Sequence, residues 1–277
     1  MTNENKEPRK RFLALDTSTA TLGVAITENG RLLHEINASG ERNHSVHLLP
    51  IIEQVLQATG TTAAMLGGVS VGVGPGSYTG TRIAVTAAKT LAWAWNVPVA
   101  GISTLQALAW GGRLAGLVSQ SEAILTLGEQ AEGEGSDWVI PLLDARRGQA
   151  YTALFCADGT GSPYRLEPDA IRLMADWVQH LAERLAQAQA NGSSPRLIWF
   201  VGDTGLHGSV ESLQPLQELS SIRVAAYELE GRWTGFLGEE RLQTGSDDIH
   251  TLIPNYTQLS EAEANLRRSS EGSLNKR

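Results

Sequence analysis

Four clusters in this chain have residue types and spacings that could do chemistry. Asp16-Thr17-Ser18-Thr19 closes an apolar run at residues 12–15. A carboxylate at a strand end, followed by hydroxyls, can hold a hydrated Mg²⁺ or a phosphate. The same residues can instead satisfy the backbone of a turn. Gly74-Pro75-Gly76-Ser77-Tyr78-Thr79-Gly80 stands between a valine-rich run and a helical pattern. Backbone N–H groups at such a place favour an anion; glycines there equally serve a tight, closely packed turn. The run lacks the Lys-Ser/Thr pair of a P-loop, and its last glycine is one place late for a dinucleotide fingerprint. His44 and His47 are three apart, which suits a metal on a helix, but no third ligand has a recognisable spacing. Asp144-Ala145-Arg146-Arg147 reads as an anion site at a strand end or as a salt-bridged turn.

These residues need elements to position them. Residues 12–15, 22–27 and 31–37 read as strands, the last two joined by Asn29-Gly30, the strongest local hairpin signal. A helix is expected over 47–59, with Leu48, Ile51, Ile52, Val55 and Leu56 in one stripe and Gly60 as its stop. A strand over 68–73 leads through the glycine run to a helix over 81–95, then a strand over 97–102. The pattern restarts after residue 104: strands at 138–143 and 149–156, a long helix at 169–190, strands at 197–201 and 222–227, and a helix at 231–244. This is an α/β layout with two related lobes, 11–104 and 105–266. The last helix is free to pack back on the first lobe. Residues 111–136 suggest a helix plus a polar insertion, and 1–10 and 267–277 suggest disordered tails.

Composition sets limits. With 22 basic and 30 acidic residues the net charge is −8, which argues against a chain that grips nucleic acid by itself. The apolar fraction of 42% against 19% charged supports a real core rather than disorder. A single cysteine, Cys156, excludes an internal disulfide and a cysteine-based zinc site. No apolar run reaches membrane-spanning length and the first residues show no leader, so a cytoplasmic protein is expected. The helix over 81–95 is apolar almost all round: Ile83, Ala84, Val85, Ala87, Ala88, Leu91, Ala92, Ala94 and Trp95, against a polar side of Arg82, Thr86 and Lys89 with Trp93 among them. Such a helix is covered on more than one side. The preceding helix supplies part of that cover, and a subunit interface is the other candidate.

Taken in order, six segments resemble the TsaB (YeaZ) family. They are Phe12-Leu13-Ala14-Leu15-Asp16-Thr17-Ser18, the His44-to-Pro50 stretch, the glycine run continued by Thr81-Arg82, Gly101-Ile102-Ser103-Thr104-Leu105, Asp144-Ala145-Arg146-Arg147-Gly148, and Pro254-Asn255-Tyr256. The resemblance spans about 11–266. It implies an actin-like ATPase (ASKHA) fold, two lobes of ribonuclease-H-like mixed sheet flanked by helices. It also implies an accessory, non-catalytic subunit for threonylcarbamoyl transfer to the adenosine beside the anticodon, in tRNAs reading codons that begin with A. The implied partners are a catalytic TsaD-like subunit, a TsaE-like ATPase, a second copy when the chain is alone, and tRNA only through the complex. TsaD-like proteins carry a His-x-x-x-His metal pair after the strand matching 97–102. Thr104 and Leu108 stand there in this sequence, and neither can ligate a metal as imidazole does. The expected partner interface is His47, Leu48, Ile51, Ile52, Val55, Leu56, Ile83, Ala84, Ala87, Ala88, Leu91 and Trp95. Asp16, Thr17, Ser18, Gly74, Gly76, Ser77, Thr79 and Gly80 become a vestigial nucleotide or phosphate site, with weak ATP or ADP binding and no required cofactor. Two departures stand out: the insertion in 111–136 is long for the family, and Gln149 replaces a frequent Glu.

The rival reading is a small-molecule kinase or ATPase of the same superfamily, resting on Asp16 and the glycine run. A peptidase reading finds neither a zinc constellation nor a nucleophile motif. Titration calorimetry with ATP and Mg²⁺ separates the first two. A scaffold shows weak or no heat, whereas tight binding with turnover favours the kinase.

Overall fold

The computed structural model describes residues 10–39, 43–127, 135–209 and 212–257. The expected tails, save residue 10, and positions 128–134 of the insertion lie outside the described residues. The chain opens with β1 (Arg11–Asp16), β2 (Leu22–Glu28) and β3 (Arg31–Ala38), an antiparallel meander. Asn29 and Gly30, at φ 53° and 69°, make its turn, as the dipeptide predicts. Helix α1 runs His44–Thr59, starting three residues before the expected 47. Pro50 therefore sits inside the helix, on its exposed side, where water can meet the carbonyl left without a donor. Gly60 at φ 60° ends it, with Gly60 N–H donating to Gln57 and Thr61 N–H to Leu56.

After one 3₁₀ turn (Ala63–Met65), β4 (Leu66–Gly72) pairs parallel to β1. Helix α2 is Tyr78–Trp95, again three residues longer than expected. Ser77 sets that start, capping the helix by accepting the Gly80 N–H at 3.2 Å, as a serine at this position commonly does. Strand β5 (Val99–Ile102) is parallel to β4. Then come α3 (Thr104–Leu127), β6 (Asp137–Asp144), β7 (Gln149–Ala157), β8 (Tyr164–Leu173), α4 (Met174–Ala190), β9 (Ile198–Gly202), α5 (Gln214–Gln217), β10 (Ile222–Ala226) and α6 (Gly231–Thr244).

One element corrects the sequence reading. The expected helix over 169–190 loses its first five residues to β8, where Ala170–Leu173 pair with Gln149–Thr152 of β7. An open sheet edge outweighs local propensity there, and Pro168 is tolerated because β8 is an edge strand.

The sheets read β3-β2-β1-β4-β5 and β8-β7-β6-β9-β10. Their orders are identical, element for element, so the two lobes share one ribonuclease-H-like topology and the fold is the two-lobed, actin-like one. Helices α3 and α6 stitch them together. Helix α3 leaves the first sheet and packs on β6, β7, β9 and β10; α6 leaves the second and packs on β1, β2, β4 and β5.

Alternation along the strands assigns the faces of the first sheet. Leu13, Leu15, Val69 and Val71 join α1 and α2 in one apolar core. Ala14 and Ser70 point the other way, under Gly235 and Gly238 of α6. A Cβ at Gly238 would overlap the Ser70 side chain. Glu35 and Asn37 of β3 accept the first N–H groups of α6, from Arg232 at 3.1 Å and Gly231 at 2.8 Å, donors that no turn of the helix itself can satisfy. In the second lobe, buried Asp137 binds Arg113 and Arg196 and accepts from Trp199. Gly238→Val is expected to lower unfolding free energy by about 3 kcal/mol through overpacking, read by urea denaturation. A loss under about 0.5 kcal/mol, the level of an ordinary surface change, contradicts this close packing.

Candidate functional site

The first candidate site assembles, but around itself. Buried Asp16 accepts the Ser18 N–H at 2.7 Å and the Thr104 hydroxyl at 2.9 Å. Thr104 in turn accepts the Gly74 N–H at 3.1 Å. The loop at 74–80 lies backbone to backbone on the turn at 17–18. Ser77 N–H donates to the Ser18 carbonyl at 2.7 Å, and the Thr17 hydroxyl donates to the Gly80 carbonyl at 2.6 Å. A Cβ at Gly76 would overlap the Ser18 carbonyl, and one at Gly80 the Thr17 carbonyl. Only Ser77 and Thr79 of the eight expected residues are exposed, with Gly76 half-buried. The residues do converge, yet the donors at Gly74, Ser77 and Gly80 are engaged by the chain itself.

Thr104 and Leu108 are both buried. Thr104 bridges Asp16 and Gly74, and Leu108 packs into the second lobe, where it would meet a Cβ on Gly202. Among the described residues no group of three or more His, Cys, Asp or Glu is placed to hold a metal, so His44 and His47 gain no third ligand.

The second candidate site is the outer face of α1 and α2. The structure divides the twelve expected residues. Leu48, Ile51, Ile52, Val55, Ala84 and Ala88 are buried against the first sheet. Helical periodicity marks an apolar face without saying which neighbour covers it, and here the lobe's own sheet does. His47, Leu56, Ile83, Ala87, Leu91 and Trp95 remain partly open. Between the helices runs a groove of about 410 Å³, lined by Leu49, Ile52, Leu56, Leu91 and Trp95, with Glu53 and Gln57. Exposed apolar side chains on these helices outside the expected set include Val46 (64% exposed), Leu49 (58%) and Trp93 (70%). Their signal is present in the sequence, since each breaks an otherwise polar outer face.

A third arrangement joins motifs far apart in sequence. Beyond α6, residues 245–257 cross the first lobe as a strap. Asp247 pairs with Val99 on the β5 edge and accepts the Gly101 N–H at 2.7 Å. The Lys89 ammonium donates to the Leu252 carbonyl at 2.9 Å, and Asn255 N–H to the Val73 carbonyl at 2.7 Å. Arg82 donates to the Tyr256 hydroxyl at 2.8 Å and lies over the Tyr78 ring. The Pro254-Asn255-Tyr256 segment thus fastens the strap to the glycine loop and α2.

At the end of β6, Asp144 accepts the Arg146 N–H at 3.0 Å and faces His207 at 3.4 Å. Asp203, just past β9, accepts the Asp144 N–H at 3.0 Å. In this turn it is Asp144 that pairs, with His207; among the described residues the Arg146 and Arg147 side chains have no ion pair.

Two like lobes with a crossing helix each place the chain in the actin-like class, and comparison narrows it. The family model described as "TsaD: tRNA N6-adenosine threonylcarbamoyltransferase" matches residues 31–203, more than half of the chain. The "tRNA threonylcarbamoyladenosine biosynthesis protein TsaB" of Bacillus subtilis is 33% identical over 260 residues, covering 91% of this chain and 96% of that protein. The Escherichia coli protein of the same name is 30% identical over 164 residues, 58% of this chain and 62% of its own. A solved structure titled "YeaZ from Pseudomonas aeruginosa" shares the fold, with TM-score 0.61 at 22% identity, covering 89% of this chain and 99% of that one. The chain belongs to the TsaB (YeaZ) family.

Burial raises the Asp16 carboxyl above the ordinary carboxylate value, against hydrogen bonds from Ser18 and Thr104 that lower it. The folded chain then holds that proton more tightly than the unfolded chain. The resulting stability is full below the ordinary carboxylate range and is lost as pH rises through the raised value. Urea titrations from about pH 4 to 8 should show wild type losing stability relative to Asp16→Asn as pH rises through this window. Parallel curves, or the opposite slope, contradict the burial of this carboxyl.

Proposed function

We propose that this chain is the non-catalytic subunit of a complex that transfers a threonylcarbamoyl group to tRNA. In this reading it pairs with a catalytic TsaD-like subunit through the outer face of α1 and α2. The observation that carries the proposal is the apolar groove between those helices, lined by exposed Leu49 with Leu56, Leu91 and Trp95. Patches of that kind on a chain with a complete core mark a protein interface.

The family model adds support for the partner's shape. A chain similar to TsaD has a TsaD-like partner with a related fold, and related faces pair about a two-fold axis with little rearrangement. The same logic allows a second copy to occupy the groove when the partner is missing. Thr104 and Leu108, in place of a histidine pair, support leaving the transfer chemistry to the partner. The engagement of Gly74, Ser77 and Gly80 by the chain supports a role with no required nucleotide, and gives the kinase reading no favouring observation. A TsaE-like ATPase is the further partner, and tRNA is met only through the assembled complex. A tRNA substrate makes the cytoplasm the place of work; among the described residues no helix is long and apolar enough to cross a membrane.

The test is co-elution with the TsaD-like subunit on size exclusion. Leu49→Glu is expected to leave the circular dichroism spectrum intact and to weaken pairing more than about a hundredfold, since an unpaired charge is buried there. Ala88→Glu, at a fully buried position, is expected to unfold the first lobe instead. Separate peaks for wild type, or normal pairing by Leu49→Glu, contradict the proposal.

A further inference from the structure

The hairpin joining β6 to β7 holds three consecutive residues in the left-handed region: Arg146 at φ 66°, Arg147 at 54° and Gly148 at 75°. L side chains rarely adopt that conformation, and glycine or asparagine fills such turns at lower cost. Two arginines stand there instead. Both are exposed, and among the described residues neither side chain has an ion pair or hydrogen bond. Several other arginines sit on acids, among them Arg113 and Arg196 on Asp137, Arg184 on Glu167 and Arg232 on Glu35. The acids nearest the hairpin do other work. Asp144 accepts the Arg146 backbone N–H and faces His207, and Asp203 accepts the Asp144 N–H. They shape the backbone that presents the guanidiniums, which themselves remain open to a ligand.

Backbone hydrogen bonds to Asp144 and from Gln149 hold the turn, but no side-chain contact of either arginine accompanies its unfavourable conformation, and such strain collects at sites of function. The hairpin also stands at the carboxyl ends of the parallel strands β6 and β9, where open α/β sheets take their ligands. Paired guanidinium forks match phosphate oxygens. We infer that Arg146 and Arg147 are the point at which this subunit touches a backbone phosphate of the tRNA. This rests on the proposed role in a tRNA-modifying complex. With a net charge of −8, the contact is short-ranged and adds to a partner's grip rather than replacing it.

The full chain carrying Arg146→Gly and Arg147→Gly, assembled with the TsaD-like subunit, is compared with wild type for tRNA binding. Salt is varied between about 50 and 200 mM. Expected are roughly tenfold weaker binding at the low end and a log–log salt slope smaller by about one to two. Glycine suits the left-handed backbone, so the melting temperature of the variant should not fall, and co-elution with the partner should persist. Arg31→Gln, an exposed arginine in the β2–β3 turn, should leave the slope unchanged.

Wild-type affinity and slope in the double variant overturn the inference, as does an equal loss from Arg31→Gln. Loss of co-elution reassigns the pair to a protein contact and also overturns it. Weakened ATP binding with tRNA binding intact makes the phosphate a nucleotide's, again against the inference. Failure of the wild-type complex to bind tRNA is a failure of the underlying role, visible before any variant is made.

Discussion

The backbone of the 74–80 loop rests directly on the turn at 17–18, and the position of the surrounding helices follows from that contact. Glycine at 76 and 80 lets two main chains meet where any side chain would overlap a carbonyl. Ser77 then caps α2, which starts at Tyr78 against the end of β1. Because the loop is locked, the angle of α2 on the sheet is locked too, and so is the groove it forms with α1. Asp16 ties the arrangement to the other lobe's first helix through Thr104. These contacts make the loop a structural joint. Such a joint suits a subunit whose task is to present a fixed surface.

Exchange of helices between lobes has the same effect. Helix α6 comes from the second lobe and covers the inner face of the first sheet; α1 and α2 cover the other. The first sheet is then covered on both faces by this chain. What stays open is the outer side of α1 and α2, with Leu49 and Trp93 more than half exposed. The strap at 245–257 borders that side, held by Lys89 and Arg82 of α2.

Much of this is legible in the residues. Asn29-Gly30 announces its hairpin, Gly60 its helix end, and the restart after residue 104 the second lobe. What escapes depends on tertiary partners. The end of β8 reads as helix because its strand character comes from pairing with β7, which periodicity does not report. Ala84 and Ala88 read as partner-facing because an apolar stripe looks the same whichever neighbour covers it. The joint between Asp16 and Thr104 spans 88 positions, and the pairing of Arg82 with Tyr256 spans 174. No local pattern encodes such distances. Arg146 and Arg147 are visible as a basic pair; their left-handed backbone and lack of acidic partners are not.

The central claim is that the outer face of α1 and α2 receives a TsaD-like subunit. Hydrogen–deuterium exchange on the chain alone and in the mixed complex tests it most directly. Slower exchange is predicted over residues 44–59 and 83–95, with the β6–β7 hairpin at 144–149 unchanged in the absence of tRNA. Unchanged exchange in α1 and α2, with protection confined to the second lobe, would contradict the account.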